Sequence, residues 1–224
     1  MSSNKPLTVF LAITLALTMS GCISARIEDA REETTGLNAN ESVVVMAKSY
    51  HQGNETEAKY ISCVESALGR GKGALRVIPT QQFIDNLFPW FEPRTAPADT
   101  KGLTTLMSKP GVPGAVKDMG VRYIIWLDGD TDRVTQGGSL SCAAGPGGGG
   151  CFGFAWWQDD ADYEASIWDL QDAEASGTVT ADYSGTSFLP ALVIPIPLIA
   201  RTRAKACNGL ANQLKLFIVS DEAV

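Results

Sequence analysis

The segment "DYEASIWDLQDAEASGTVTADYS" occupies residues 162–184 and carries two alternating runs with a polar turn between them. In the first run, 162–170, Tyr163, Ala165 and Ile167 alternate with Asp162, Glu164 and Ser166. In the second, 177–184, Val179, Ala181 and Tyr183 alternate with Thr178, Thr180 and Asp182. A period of two over runs of this length predicts half-buried strands, and the short polar turn "QDAEAS" makes them an antiparallel pair.

Upstream of the pair the pattern changes. "VRYIIWL" (121–127) is apolar almost throughout, as are "ESVVVMA" (41–47) and "LRVI" (75–78). Such runs suit strands covered on both faces, the usual condition of a parallel sheet. Helical spacing fills the intervals. Asn54 with Glu57 three residues on forms a capping signal, Ile61, Val64 and Leu68 follow on one face, and glycines at 69, 71 and 73 end the run. A second helix starts after Thr80 and stops at Pro89. Two shorter ones are expected at 100–108 and 112–119. A last helix over 203–218 aligns Cys207, Leu210, Ala211, Leu214, Phe217 and Ile218. This order predicts an α/β fold: a mixed sheet of about five strands, with a parallel core, an antiparallel edge hairpin and helices packed against it.

The succession "VVVM", amphipathic helix, "RVIPTQQF", "VKDMGVRYIIWLDG", "SIWDLQDAEASGTVTADYSG" resembles a layout met elsewhere. It is similar to that of the TolB amino-terminal domain and the periplasmic core of the curli-secretion-channel lipoprotein. The resemblance covers residues 41–219 and implies a docking or assembly module of the cell envelope, often oligomeric, rather than an enzyme. The glycine-rich insertion at 137–157 is a departure from that layout.

The beginning of the chain points to the same compartment. Lys5 precedes the apolar run Leu7–Met19, which ends in "SGC" at Cys22. That run is too short for a comfortable helical span of about 20 residues and follows the order of a secretory signal. The end resembles the lipobox of bacterial lipoproteins, with Met19 where leucine is usual, so residues 1–21 read as a signal peptide and Cys22 as the lipidated residue. Ile23 rather than Asp follows it, which implies outer-membrane attachment facing the periplasm. Residues 22–40 read as a lipidated polar tether, 41–219 as one periplasmic domain, and 220–224 as a tail. Loss of 1–21 removes Lys5 and no acid, which moves the formal charge from −7 to −8. So acidic a chain has no electrostatic basis for binding nucleic acid.

With Cys22 committed to lipid, Cys63, Cys142, Cys151 and Cys207 remain. An even number in an oxidising compartment argues for disulfides. Zinc is disfavoured because His51, the only histidine, lies far from the cysteine pair in sequence. "GPGGGG" (145–150) satisfies a phosphate-loop spacing only because it is nearly all glycine, and no helix signal follows. Cys142 and Cys151 are therefore expected to clip a glycine loop, worth about 2.5–3 kcal/mol on loop-closure entropy. Cys207 lies on the stripe of the last helix and Cys63 flanks that of the first. Side-by-side packing of those helices predicts a Cys63–Cys207 bridge.

Two acidic groups invite a ligand. Asp128, Asp130 and Asp132 begin like a calcium loop, but Arg133 and Ser139 replace its glycine and its bidentate glutamate, so a solvated strand end is expected. Asp159, Asp160 and Asp162 form the second group. No nucleophile elbow accompanies His51, no catalytic set is expected, and no cofactor is implied. Apolar surface is the stronger signal. Phe152, Phe154, Trp156 and Trp157 follow the glycine tract, and "FLPALVIPIPLIA" (188–200) brings Leu192, Ile194, Ile196 and Leu198 among prolines that argue against a helix or a central strand. The ordinary reading packs the aromatics into the core and lays 188–200 over the open face of the sheet. Beside it, the fact that both segments adjoin the same strand pair suggests a contact surface for a protein partner, a second copy or the lipid interface. The sequence therefore reads as a lipid-anchored, non-catalytic envelope module. The alternative is an envelope enzyme or a small-ligand or cation binder that uses the acidic loops 128–132 and 159–162.

Overall fold

A computed structural model describes residues 23–47, 56, 58–92, 94–146 and 148–219. Cys22, His51 and the Asn54–Glu57 capping signal lie outside the described residues. Six strands form one mixed sheet: β1 (Ile23–Arg31), β2 (Ser42–Ala47), β3 (Val77–Ile78), β4 (Val121–Gly145), β5 (Gly148–Asp169) and β6 (Glu174–Pro195). Their order across the sheet is β1-β6-β5-β4-β2-β3. The helices among the described residues are α1 (Ala58–Leu68), α2 (Thr80–Asn86), α3 (Thr100–Met107), α4 (Val112–Met119) and α5 (Thr202–Ile218).

The apolar runs behave as their composition requires. β2 pairs in parallel with β3 (Val43↔Val77) and with β4 (Val43↔Tyr123, Val45↔Ile125), at the buried centre of the sheet. Alternation then sorts side chains between two helical layers. Val44, Met46, Ile124, Trp126 and Trp168 point to the layer holding Phe83, Leu103, Leu106, Val112 and Val116 from α2, α3 and α4. The opposite set includes Tyr163, stacked on Tyr60 of α1 with ring centroids 3.4 Å apart, and Tyr183, against Gly209 of α5. The buried stripe of α1 is Tyr60, Val64 and Leu68, with Ile61 only at its margin. Cys63 and Cys207 join α1 to α5, with their Cα atoms 6.2 Å apart.

Three sequence expectations need correction. Residues 23–31 are not tether but β1, which raises the strand number from about five to six. Only Ile23 and Ile27 of β1 are partly buried, so this edge strand carries almost no hydrophobic signature. The glycine-rich insertion is not a loop. β4 runs on to Gly145 and β5 begins at Gly148, so the bridge between Cys142 and Cys151 ties two strands of one hairpin, with Cα atoms 4.0 Å apart. Finally, β6 continues through Pro190 to Pro195. Phe188 and Leu198 exchange backbone hydrogen bonds and Ile196 N–H donates to Pro190 O, so the chain returns along the outer edge of β6. Pro190 sits in register with Phe188 on that edge, where its missing N–H costs no bond to β5.

The described residues divide into two compact units. The larger contains residues 25–131, 161–183 and 203–219 and holds all the helices apart from the first residue of α5. The smaller contains 23–24, 132–160 and 184–202, that is, the distal parts of β4, β5 and β6 with the returning segment.

Candidate functional site

The smaller unit brings together both apolar segments singled out in the sequence. Its strand contacts require glycine: at positive φ (96° and 142°) a Cβ on Gly138 would lie 2.1 Å from Phe154 O, and one on Gly153 would lie 2.3 Å from Ser139 O. Gly137 leaves room for the Trp156 ring. Phe154 stacks on Phe188, centroids 6.0 Å apart, which couples β5 to β6. Gly150 lies against Val193, so the β4–β5 turn and the β6 turn occupy one end of the unit. Phe152 (72 % exposed), Leu192 (82 %), Ile194 (71 %) and Ile196 (60 %) are open to solvent there. Phe154 is also exposed, whereas Trp156, Trp157 and Leu198 are half-buried. Between 134 and 158, and again between 184 and 200, there is no Asp, Glu, Lys or Arg.

The charges of this unit collect at the other ends of its strands. Arg133 Nε donates to Asp159 Oδ1 at 3.0 Å, Trp157 Nε1 donates to Asp159 Oδ2 at 3.1 Å, and the guanidinium lies 5.1 Å from the centroid of the Trp157 ring. Asp160 accepts from Ser184 Oγ at 2.6 Å and from Gln158 Nε2 at 3.0 Å. These acids serve the sheet rather than a vacant ligand.

Asp128, Asp130 and Asp132 lie on β4, where extended backbone spaces alternate side chains roughly 6–7 Å apart along one face. A calcium loop instead folds its ligands round one point. Asp128, Asp130 and Asp162 each have partners, and among the described residues no group of three His, Cys, Asp or Glu side chains could hold a metal ion.

A polar cluster that sequence reading passed over lies in the larger unit. Arg122 opens β4 and reaches the β5–β6 turn, with Nε 2.7 Å from Asp169 Oδ2, Nη1 2.8 Å from Gln171 Oε1 and Nη2 3.3 Å from Asp172. The other oxygen of Asp169 accepts the backbone N–H of Gln171 at 2.7 Å, which sets the turn. Glu41 completes the cluster through Gln171 Nε2 at 3.0 Å and Arg122 at 3.7 Å. Burial pushes the Glu41 carboxyl up, but the Asn38 N–H, the Gln171 amide and Arg122 together outweigh it and hold it below the usual range. Sequence could have flagged the cluster only through the charge of Arg122 inside an apolar strand.

Two shallow clefts open on the larger unit. One, of about 600 Å³, is lined by Glu32, Glu33 and Glu174 with Thr104 and Thr105, and a hydrogen bond to Glu174 raises the Glu33 carboxyl above its ordinary range. The other, of about 550 Å³, is lined by Ser62, Arg70, Asn208 and Lys215, and Lys215 Nζ donates to Arg70 O.

No protein-family model matches the chain, and no curated protein matches it. Solved structures similar to it include a PelC dodecamer from Paraburkholderia phytofirmans, 11 % identical, with a TM-score of 0.40 over 89 % of this chain and 99 % of that one. A point variant of the same dodecamer is 10 % identical, with a TM-score of 0.39 over 88 % and 98 %. A likeness this distant establishes neither a shared fold nor a shared role. Among the described residues no helix is long and apolar enough to cross a membrane.

Proposed function

We propose that the chain is a lipid-anchored component of the cell envelope, held at the outer membrane through Cys22 and facing the periplasm, where it works as a non-catalytic interaction or assembly module. One observation carries this reading. The smaller unit presents Phe152, Leu192, Ile194 and Ile196 together on a surface without formal charge, whereas apolar surface of this kind on a soluble domain usually meets a partner. The layout resemblance to the TolB amino-terminal domain and the curli-secretion-channel lipoprotein core agrees with such a role. Of the acidic side chains weighed as a ligand site, Asp159 pairs with Arg133, Asp160 accepts from Ser184, and Asp128, Asp130 and Asp162 have partners, which favours this reading over a cation binder.

Replacing Phe152, Leu192 and Ile196 by Ser, singly and together, tests the contact surface. The expected outcome is lost association, with partners, copies or vesicles, at a melting temperature changed by only a few degrees. Leu192, 82 % exposed, should show the cleanest separation. Retained association with a large fall in melting temperature would instead make these residues structural.

A further inference from the structure

We infer that the smaller unit lies against the bilayer that holds the lipid anchor, with its uncharged apolar surface in the interfacial region. The inference rests on the lipoprotein reading and names what covers the contact surface. Two independent features point to lipid rather than to protein.

The first is the distribution of charge. Runs 134–158 and 184–200 carry none, and Arg133, Asp159, Asp160 and Arg201 stand just beyond their ends. Protein interfaces keep a polar, often charged rim, whereas membrane-facing surface excludes formal charge throughout and places tryptophan at the boundary. Trp156 and Trp157 occupy that boundary here, and Trp157 already lies under the Arg133 guanidinium.

The second is where the anchor must sit. β1 starts at Ile23, and Ile23 and Ser24 belong to the same compact unit as residues 132–160 and 184–202. A lipid on Cys22 would therefore be one Cα step, about 3.8 Å, from this unit, with no tether between. It would sit at the charged end of β6 near Ser184, at the far end of the unit from the turn that carries Phe152 and Ile194, so both ends of the unit would meet the same surface. A domain on a long tether can stand off the membrane, but this unit is brought to it. The strands do not themselves cross the bilayer as an isolated sheet. Their outer backbone groups on the β4 side would be left unpaired in hydrocarbon, and the β6 edge is already closed by the chain's own return at Phe188 and Leu198. Surface seating satisfies both constraints, because aromatic and aliphatic side chains enter the headgroup region while the backbone edges stay hydrated.

The test uses the full lipidated chain in phosphatidylcholine vesicles whose acyl chains carry bromine at defined depths. Bromine quenches nearby tryptophan. The expected result is quenching by shallow labels that disappears when Trp156→Phe and Trp157→Phe are added to a Trp90→Phe chain. Trp90 is only partly buried, whereas Trp126 and Trp168 are buried in the larger unit. A second chain, Leu192→Ser with Ile194→Ser and Ile196→Ser, keeps both tryptophans and should lose most of the quenching at an unchanged melting temperature. Absence of quenching in an acylated chain would overturn the inference and leave the anchor standing. Protection of the same side chains by self-association in vesicles, seen as cross-links between copies without quenching, would overturn it in favour of a second copy. Mass spectrometry of Cys22 separates the two readings. Quenching in a chain not acylated there keeps the bilayer contact and removes the anchor.

Discussion

Asp169 shows how much one carboxylate can hold. It is 5 % exposed, its Oδ2 pairs with Arg122, and its Oδ1 fixes the β5–β6 turn. Asp169→Ala would leave the guanidinium without its closest partner and release the turn together. We expect a loss of about 3 kcal/mol, read as a shift in the denaturation midpoint at constant slope. Glu41, at the margin of the same cluster, gives a pH signature. Its carboxyl is held low, so the stabilisation it contributes is present above the unfolded value of about 4.3 and is lost as pH falls through the lower folded value. The acid limb of a melting-temperature profile should therefore be shallower in Glu41→Gln than in the parent chain. Neither role was legible in sequence. Asp169 was visible as the end of a strand, but its partner lies 47 residues earlier, and spacing along a chain does not report such a pair.

At the scale of elements, periodicity located every helix among the described residues and the apolar cores of β2, β3 and β4, because those segments bury a continuous face. It failed where a segment buries little. β1 exposes most of its side chains, and the distal part of β4 with the first residues of β5 is rich in glycine, serine and alanine, a composition that reads as loop. Their strand character comes from backbone proximity. Gly129 illustrates the cause: with φ at 115°, its Cβ position lies 2.0 Å from Asp162 O. A side chain there would meet backbone and not a yielding rotamer. Gly129→Ala should cost about 2–4 kcal/mol, whereas Gly145→Ala, which meets nothing within 4 Å, should be nearly neutral by thermal melting. The exposed apolar patch itself was legible, since Phe152, Phe154 and the 188–200 run are apolar in an otherwise polar stretch, but its extent depends on a strand return that prolines disguised.

Across the whole molecule, the two bridges are nested. Cys142–Cys151 lies inside the 144-residue interval closed by Cys63–Cys207. If the chain is delivered from its N-terminus into an oxidising compartment, as the signal-peptide reading implies, Cys63 waits for Cys207 while Cys142 and Cys151 become available, and a pairing of Cys63 with either is a wrong one. Reaching the native pairing from there requires thiolate attack on a formed disulfide, a slow exchange that runs over seconds to hours. For a chain delivered in that way the order of cysteines gives disulfide isomerisation a part in maturation, although each bridge alone is simple. Oxidation during cell-free synthesis, with and without a thiol–disulfide isomerase, measures this: peptide mapping before Cys207 is made should find a fraction of Cys63 joined to Cys142 or Cys151, and the isomerase should shorten the life of that species. Direct appearance of Cys63–Cys207 at the same rate in both reactions would mean that α1 and α5 dock before either cysteine is oxidised.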